Sequence, residues 1–101
     1  MSIYTIKMDF RKAMEKARDL DNVSNNLKKL ANQQYSGSLN RLSREWTGEN
    51  SESFIKKGDA LREQMTGTAE DIHRAAEVIR EIAREIYEAE MEAWRIAHER
   101  K

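Results

Sequence analysis

The sequence predicts an all-α protein, an antiparallel two-helix hairpin that dimerises into a four-helix bundle. Three observations carry this prediction. Proline is absent from the 101 residues, apolar residues recur at helical spacing in both halves, and a short segment without that spacing separates them. With 36% charged and 39% hydrophobic residues, the chain has little core material, so a single domain over 1–101 is expected to share a long interface with a second chain.

The first half predicts a helix over 9–43. Asp9 is a plausible N-cap, and residues 1–8 are expected to be extended or disordered. The pattern changes phase near Ser36-Gly37-Ser38, which predicts a kink, a weakened turn or an early end of the helix there. The apolar stripe consists of Phe10, Ala13, Ala17, Leu20, Val23, Leu27, Leu30, Ala31, Tyr35, Leu39 and Leu42.

The second half has the more regular pattern and predicts one helix over 49–98, after a turn at 44–48. Apolar or small residues alternate at spacings of four and three through six heptads, which is the a/d pattern of a coiled coil. They are Phe54, Gly58, Leu61, Met65, Thr68, Ile72, Ala75, Ile79, Ile82, Ile86, Ala89, Ala93 and Ile96.

Packing of the two stripes predicts a common core and dimer seam. Its expected members are Leu27, Leu30, Leu61, Met65, Ile72, Ile79 and Ile82. Charge favours the same arrangement, because residues 1–48 contain nine basic and five acidic side chains whereas residues 49–101 contain nine and thirteen. Opposite signs favour packing of one half against the other, or against the other half of a partner.

Composition excludes several functional classes. Cysteine is absent and the formal net charge is zero, which argues against a disulfide scaffold and against a nucleic-acid binder. No apolar run is long enough for a membrane span, and the N-terminus has no apolar core typical of a cleaved signal peptide. His73, between Glu70 and Glu77, is interpreted as polar surface, so no metal, cofactor or catalytic residue is predicted. Trp94 and Tyr87 lie outside the seam, as a docking spot or as plain surface.

The predicted turn contains the motif Trp46-Thr47-Gly48, followed eight residues after the tryptophan by Phe54. The indole is expected to plug the end of the hairpin above Phe54, and Gly48 to supply permissive dihedral angles where the second helix starts. A central W-x-G between two amphipathic helices resembles the WXG family of small proteins exported by type VII secretion systems. The resemblance covers nearly the whole chain.

The resemblance implies a non-enzymatic, virulence-associated protein secreted without a cleaved signal peptide from the cytoplasm of a Gram-positive bacterium. Its implied partners are a second copy or a related WXG protein, the secretion ATPase, and a larger toxin or effector. The turn motif would then either build the hairpin alone or also be recognised by these partners. The alternative is an intracellular helical adaptor or coiled-coil assembly protein that is not secreted.

The family also implies a C-terminal export signal. The actinobacterial form, a tyrosine followed four residues later by an acidic residue, is not met because Met91 follows Tyr87 at that distance. Ile86, Glu90, Ala93 and Ala97 fit the looser firmicute form. Since a first helix beginning at Asp9 would end opposite a point near residue 84, no helix of the hairpin is expected to cover residues 85–101. Residues 1–8, with Ile3, Ile6 and Met8, could shield part of this stretch as an extended arm. Otherwise residues 85–101 are expected to be mobile in the free protein and ordered on a partner.

Overall fold

The computed structural model describes residues 2–45 and 48–99, with the side chain of Asn50 left aside. All of these residues except Ser2 and Gly48 are helical, and no strand occurs among them. The all-α prediction is therefore confirmed for the described part of the chain. Helix α1 spans Ile3–Lys29, a π-helical segment spans Leu30–Tyr35, α2 spans Ser36–Glu45 and α3 spans Glu49–Glu99.

Helix α1 begins at Ile3, six residues before the predicted cap at Asp9. The reason is a cap further upstream, at Ser2. The Thr5 backbone N–H donates to Ser2 Oγ at 3.1 Å, and the Ile6 N–H donates to the Ser2 carbonyl at 3.1 Å. Ile6 is only 2% exposed, so burial of its side chain also holds the first turns in place. The expectation that residues 3–8 are extended or disordered is wrong.

The irregularity predicted near Ser36–Ser38 lies just before that stretch, in the π-helical segment. The Ser36 N–H donates to the Ala31 carbonyl, five residues back. The spacing of the buried residues shows that the segment contains one extra residue. Ala17, Ser24 and Ala31 are seven apart, but the next buried residue, Leu39, follows after eight. The π-helical turn absorbs the additional residue and returns Leu39 to the buried face.

The described chain forms two compact units. The terminal unit contains the described residues of Met1–Asp21 and His73–Lys101, and the central unit contains Asn22–Ile72. Within the terminal unit, the Phe10 ring lies beside Tyr87 and Asp21 contacts His73, so its two segments are antiparallel. The central unit is antiparallel as well, because Ser24 contacts Ala69 and Leu39 lies against Gly58.

Small residues, and not the predicted large ones, form most of the fully buried contact. Besides Ile6 and Leu39, the buried residues are Ala17, Ser24, Ala31, Ser51, Ala69, Ala76 and Ala83, with Gly58 also buried. Small side chains let helix backbones approach closely. In the central unit, Ser24 Oγ donates to the Ala69 carbonyl at 2.6 Å.

The predicted core and dimer seam is covered only in part within the single chain. Leu27, Met65, Ile72 and Ile79 are half-buried, whereas Leu30, Leu61 and Ile82 are exposed by 43%, 47% and 49%. The heptad pattern located the apolar residues of α3 correctly. It assigned the intrachain contact to the wrong row of residues. The contact is made by the alanines that follow the seam positions by one residue, because alanines permit closer packing than leucines and isoleucines do.

Candidate partner-binding site

The turn of the central unit lies between Glu45, the last residue of α2, and Glu49, the first of α3. Gly48 has a φ of 120°, a backbone conformation that residues with a side chain rarely adopt. Its carbonyl accepts bonds from the Ser51 hydroxyl at 2.7 Å and from the Glu52 N–H at 3.1 Å, which starts α3. The glycine of the W-x-G motif thus has a conformational role at this helix start.

Trp46 and Thr47 lie outside the described residues, so the predicted plug of Trp46 over Phe54 stays a prediction. Phe54 itself lies in the second turn of α3 with 52% of its surface exposed.

Large aliphatic side chains stay about half exposed in both units of the chain. In the terminal unit, Val78, Ile82, Ile86 and Ile96 are between 42% and 52% exposed. Val78, Ile82 and Ile86 recur every four residues, so they stack along one face of the helix. In the central unit, Val23, Leu30 and Leu61 are exposed to a similar extent. These half-exposed aliphatic side chains give each unit an apolar surface that the chain itself leaves accessible.

The four residues of the predicted export signal all lie on the last turns of α3. Ile86, Ala93 and Ala97 are exposed and Glu90 is half-buried. Ile6 lines an open groove of about 300 Å³ together with Glu90, Ala93 and Ala97. The expectation that no helix of the same chain covers α3 beyond residue 84 is therefore wrong, because α1 starts early enough for Ile6 to reach it.

The two aromatic residues left open by the sequence, Tyr87 and Trp94, have partners within the terminal unit. The Tyr87 ring lies 4.8 Å from that of Phe10, with the planes tilted by 38°. The Trp94 ring stacks on His98 at 4.0 Å, and His98 Nδ1 hydrogen-bonds the Trp94 carbonyl at 2.8 Å. Both aromatic residues are half-buried, so they contribute to packing in this unit.

A polar network joins α1 to α3 in the terminal unit. His73 Nδ1 donates to Asp21 Oδ1 at 2.8 Å, and Arg80 Nη2 donates to Asp21 Oδ2 at 2.5 Å. Arg80 Nη1 also donates to Glu77 Oε1 at 2.8 Å. The hydrogen bond from Arg80, followed by that from His73, lowers the pKa of the Asp21 carboxyl below its ordinary value, and the bond to Asp21 raises the pKa of Arg80.

Sequence reasoning placed His73 next to Glu77 but missed Asp21. The i, i+4 spacing of His73 and Glu77 is visible in the sequence, whereas Asp21 comes from the other helix and joins them only through the antiparallel register. No local signal marks Asp21, since acidic residues on a solvated helix face are common.

Comparison with known proteins gives no match, whether by family model, against curated sequences or against solved structures. The resemblance to the WXG family therefore stays a prediction from the residues quoted above. Among the described residues, no helix is both long and apolar enough to cross a bilayer.

Proposed function

We propose that this chain is a small non-enzymatic protein of the WXG type, exported by a type VII secretion system as a dimer or together with a larger effector. The proposal rests on the W-x-G motif in a turn between two helical segments. Gly48 supports it, because its φ of 120° at the start of α3 is a conformation that favours glycine, as the motif led us to expect.

The observation that carries the partner-binding part is the exposed aliphatic row of α3. The chain buries a row of alanines and leaves Val78, Ile82 and Ile86 about half exposed, so the apolar surface of these three side chains is available to another molecule. Burial of apolar surface contributes about 25 cal/mol per Å². A second helical pair packed on this row would complete a four-helix bundle.

Charge supports a second copy, or a relative with the same charge distribution, as the occupant. Residues 1–48 are formally +4 and residues 49–101 are −4, from nine basic with five acidic and nine basic with thirteen acidic side chains. In a two-fold dimer the same surface meets itself, so the basic segment of one copy can lie across the acidic segment of the other. We expect such a dimer to bury at least ~1,600 Å² of surface in total.

Export is tested by fractionating the culture supernatant of wild-type host cells and of cells that lack the secretion ATPase. We expect the protein in the supernatant of the wild type alone. Trp46→Ala should reduce export. Glu90→Gln should impair export more than Glu88→Gln, which changes a neighbouring carboxylate outside the signal pattern.

Two results would overturn the proposal. Protein that stays inside wild-type cells would favour an intracellular adaptor, and equal release with and without the ATPase would exclude type VII export. Light scattering tests association separately. A mass of 11.8 kDa at micromolar concentration would contradict a stable homodimer and leave a non-identical partner as the occupant.

A further inference from the structure

The polar network of the terminal unit contains three side chains that can coordinate a cation. Asp21, His73 and Glu77 each offer one ligand atom, and these atoms all lie within 4.8 Å of one another. Tetrahedral ligands at about 2.0–2.2 Å from a zinc ion are separated by about 3.3–3.6 Å. Small side-chain movements would therefore bring the three ligand atoms onto one ion.

The positions on the chain suit a preformed site. His73 and Glu77 are four residues apart on α3, so their side chains project from the same face of one helix. Asp21 lies opposite on α1, and its Oδ1 is already 2.8 Å from His73 Nδ1. A cation would take the position of the proton now between these two atoms. Coordination through Nδ1 requires the ring proton to lie on Nε2.

Arg80 fixes the orientation of both carboxylates. Its guanidinium bonds Asp21 through Oδ2 and Glu77 through Oε1, which leaves the second oxygen of each carboxylate for a cation. Hydrogen bonding of the outer ligand oxygen is the usual arrangement around protein metal ions. Asp21 and Glu77 carry two negative charges and Arg80 one positive charge, so the site has a net charge of −1 and attracts a divalent cation.

We propose that Asp21, His73 and Glu77 form a binding site for a zinc-class divalent cation, with Arg80 as the positioning residue. One nitrogen and two carboxylate oxygens suit Zn²⁺, Ni²⁺ or Cu²⁺ and are a poor set for Ca²⁺, which takes six to eight oxygen ligands. Three protein ligands leave a fourth position for water. The bound ion would link α1 to α3 within the terminal unit, and this role does not depend on type VII export.

The test uses the full-length, untagged chain. Co²⁺, a spectroscopic substitute for Zn²⁺, should give a saturable visible absorption band at one ion per chain, and excess Zn²⁺ should abolish it. Zn²⁺ at about 100 times its dissociation constant should raise the melting temperature by about 10 °C or more. Ca²⁺ should have neither effect.

Variants separate this site from adventitious binding. His73→Ala should abolish the band, and His98→Ala, which removes the other histidine, should retain it. Glu77→Gln keeps an acceptor for Arg80 but weakens coordination, so it should lower the affinity at least about tenfold while the metal-free protein melts as the wild type does. The proposal is wrong if Zn²⁺ does not bind saturably below about 100 μM, or if the band survives in His73→Ala.

Discussion

Two glycines of α3 offer a paired test of the packing in the central unit. A Cβ added at Gly58 would lie 2.6 Å from Leu39 Cδ2 and 3.2 Å from Cδ1, whereas a Cβ at Gly67 would meet nothing within 4 Å. Both glycines lie inside the same helix, so Gly→Ala removes a similar propensity cost of about 0.5–1 kcal/mol at each site. Gly67→Ala should therefore raise the free energy of unfolding by that amount.

Gly58→Ala should not show this gain. Leu39 is only 7% exposed and has little room to withdraw, and overpacking typically costs about 1–3 kcal/mol. The two variants should differ by roughly that cost, with Gly58→Ala neutral to about 2 kcal/mol less stable than the wild type. Urea denaturation at one fixed protein concentration measures the difference, since association would otherwise shift the midpoint.

A second background isolates the contact itself. In Leu39→Ala the colliding methyl groups are gone, so adding Gly58→Ala should now stabilise the chain as Gly67→Ala does. Equal stabilisation by Gly58→Ala and Gly67→Ala in the wild-type background would refute the close packing of Leu39 on Gly58.

Three further perturbations have defined outcomes. The Ile82 side chain is 49% exposed, and burial of its roughly 90 Å² of accessible apolar surface in a dimer would contribute about 2 kcal/mol per copy. Ile82→Gln should therefore weaken a homodimer about 10³-fold, as measured by sedimentation. The control Glu81→Gln should leave the dimer unchanged. The pKa of Asp21 is lowered in the folded chain, so its ionised carboxylate contributes to the free energy of unfolding above the ordinary titration range of an aspartate. This contribution is lost as the pH falls through the lowered pKa. Asp21→Asn should therefore flatten the acid limb of a melting-temperature profile, below the ordinary titration range of an aspartate. Ser24→Ala removes the hydroxyl bond to the Ala69 carbonyl and should cost about 1 kcal/mol by urea denaturation; an unchanged midpoint would contradict this contact.

Sequence periodicity was sufficient for the helices but not for their contact surface. The absence of proline and the regular heptads of α3 predicted one helix over 49–98, and the structure has Glu49–Glu99. The same heptads could not distinguish the intrachain face from an outer one. Large apolar residues such as Ile82 dominate the pattern, whereas Ala76 and Ala83 are buried because they allow close backbone approach.

The start of α1 and the polar network were missed for different reasons. Ser2 and Asp9 are both acceptable N-caps in sequence, and the choice depends on burial of Ile6, which only the fold supplies. Asp21 meets His73 across two helices, so their proximity depends on the register of packing. Contacts between residues 52 positions apart leave no local trace in a single sequence.

The π-helical segment contains one residue more than a regular helix would need at this place. Leu30–Tyr35 contains one residue more than the buried row requires, since Ala31 and Leu39 are eight apart where the preceding steps are seven. A chain shortened by one residue here, for example at Gln33, would restore uniform seven-residue steps and keep Leu39 on the buried face. The segment therefore has the form of a single-codon insertion that the helix accommodated by widening one turn, without rotating everything that follows.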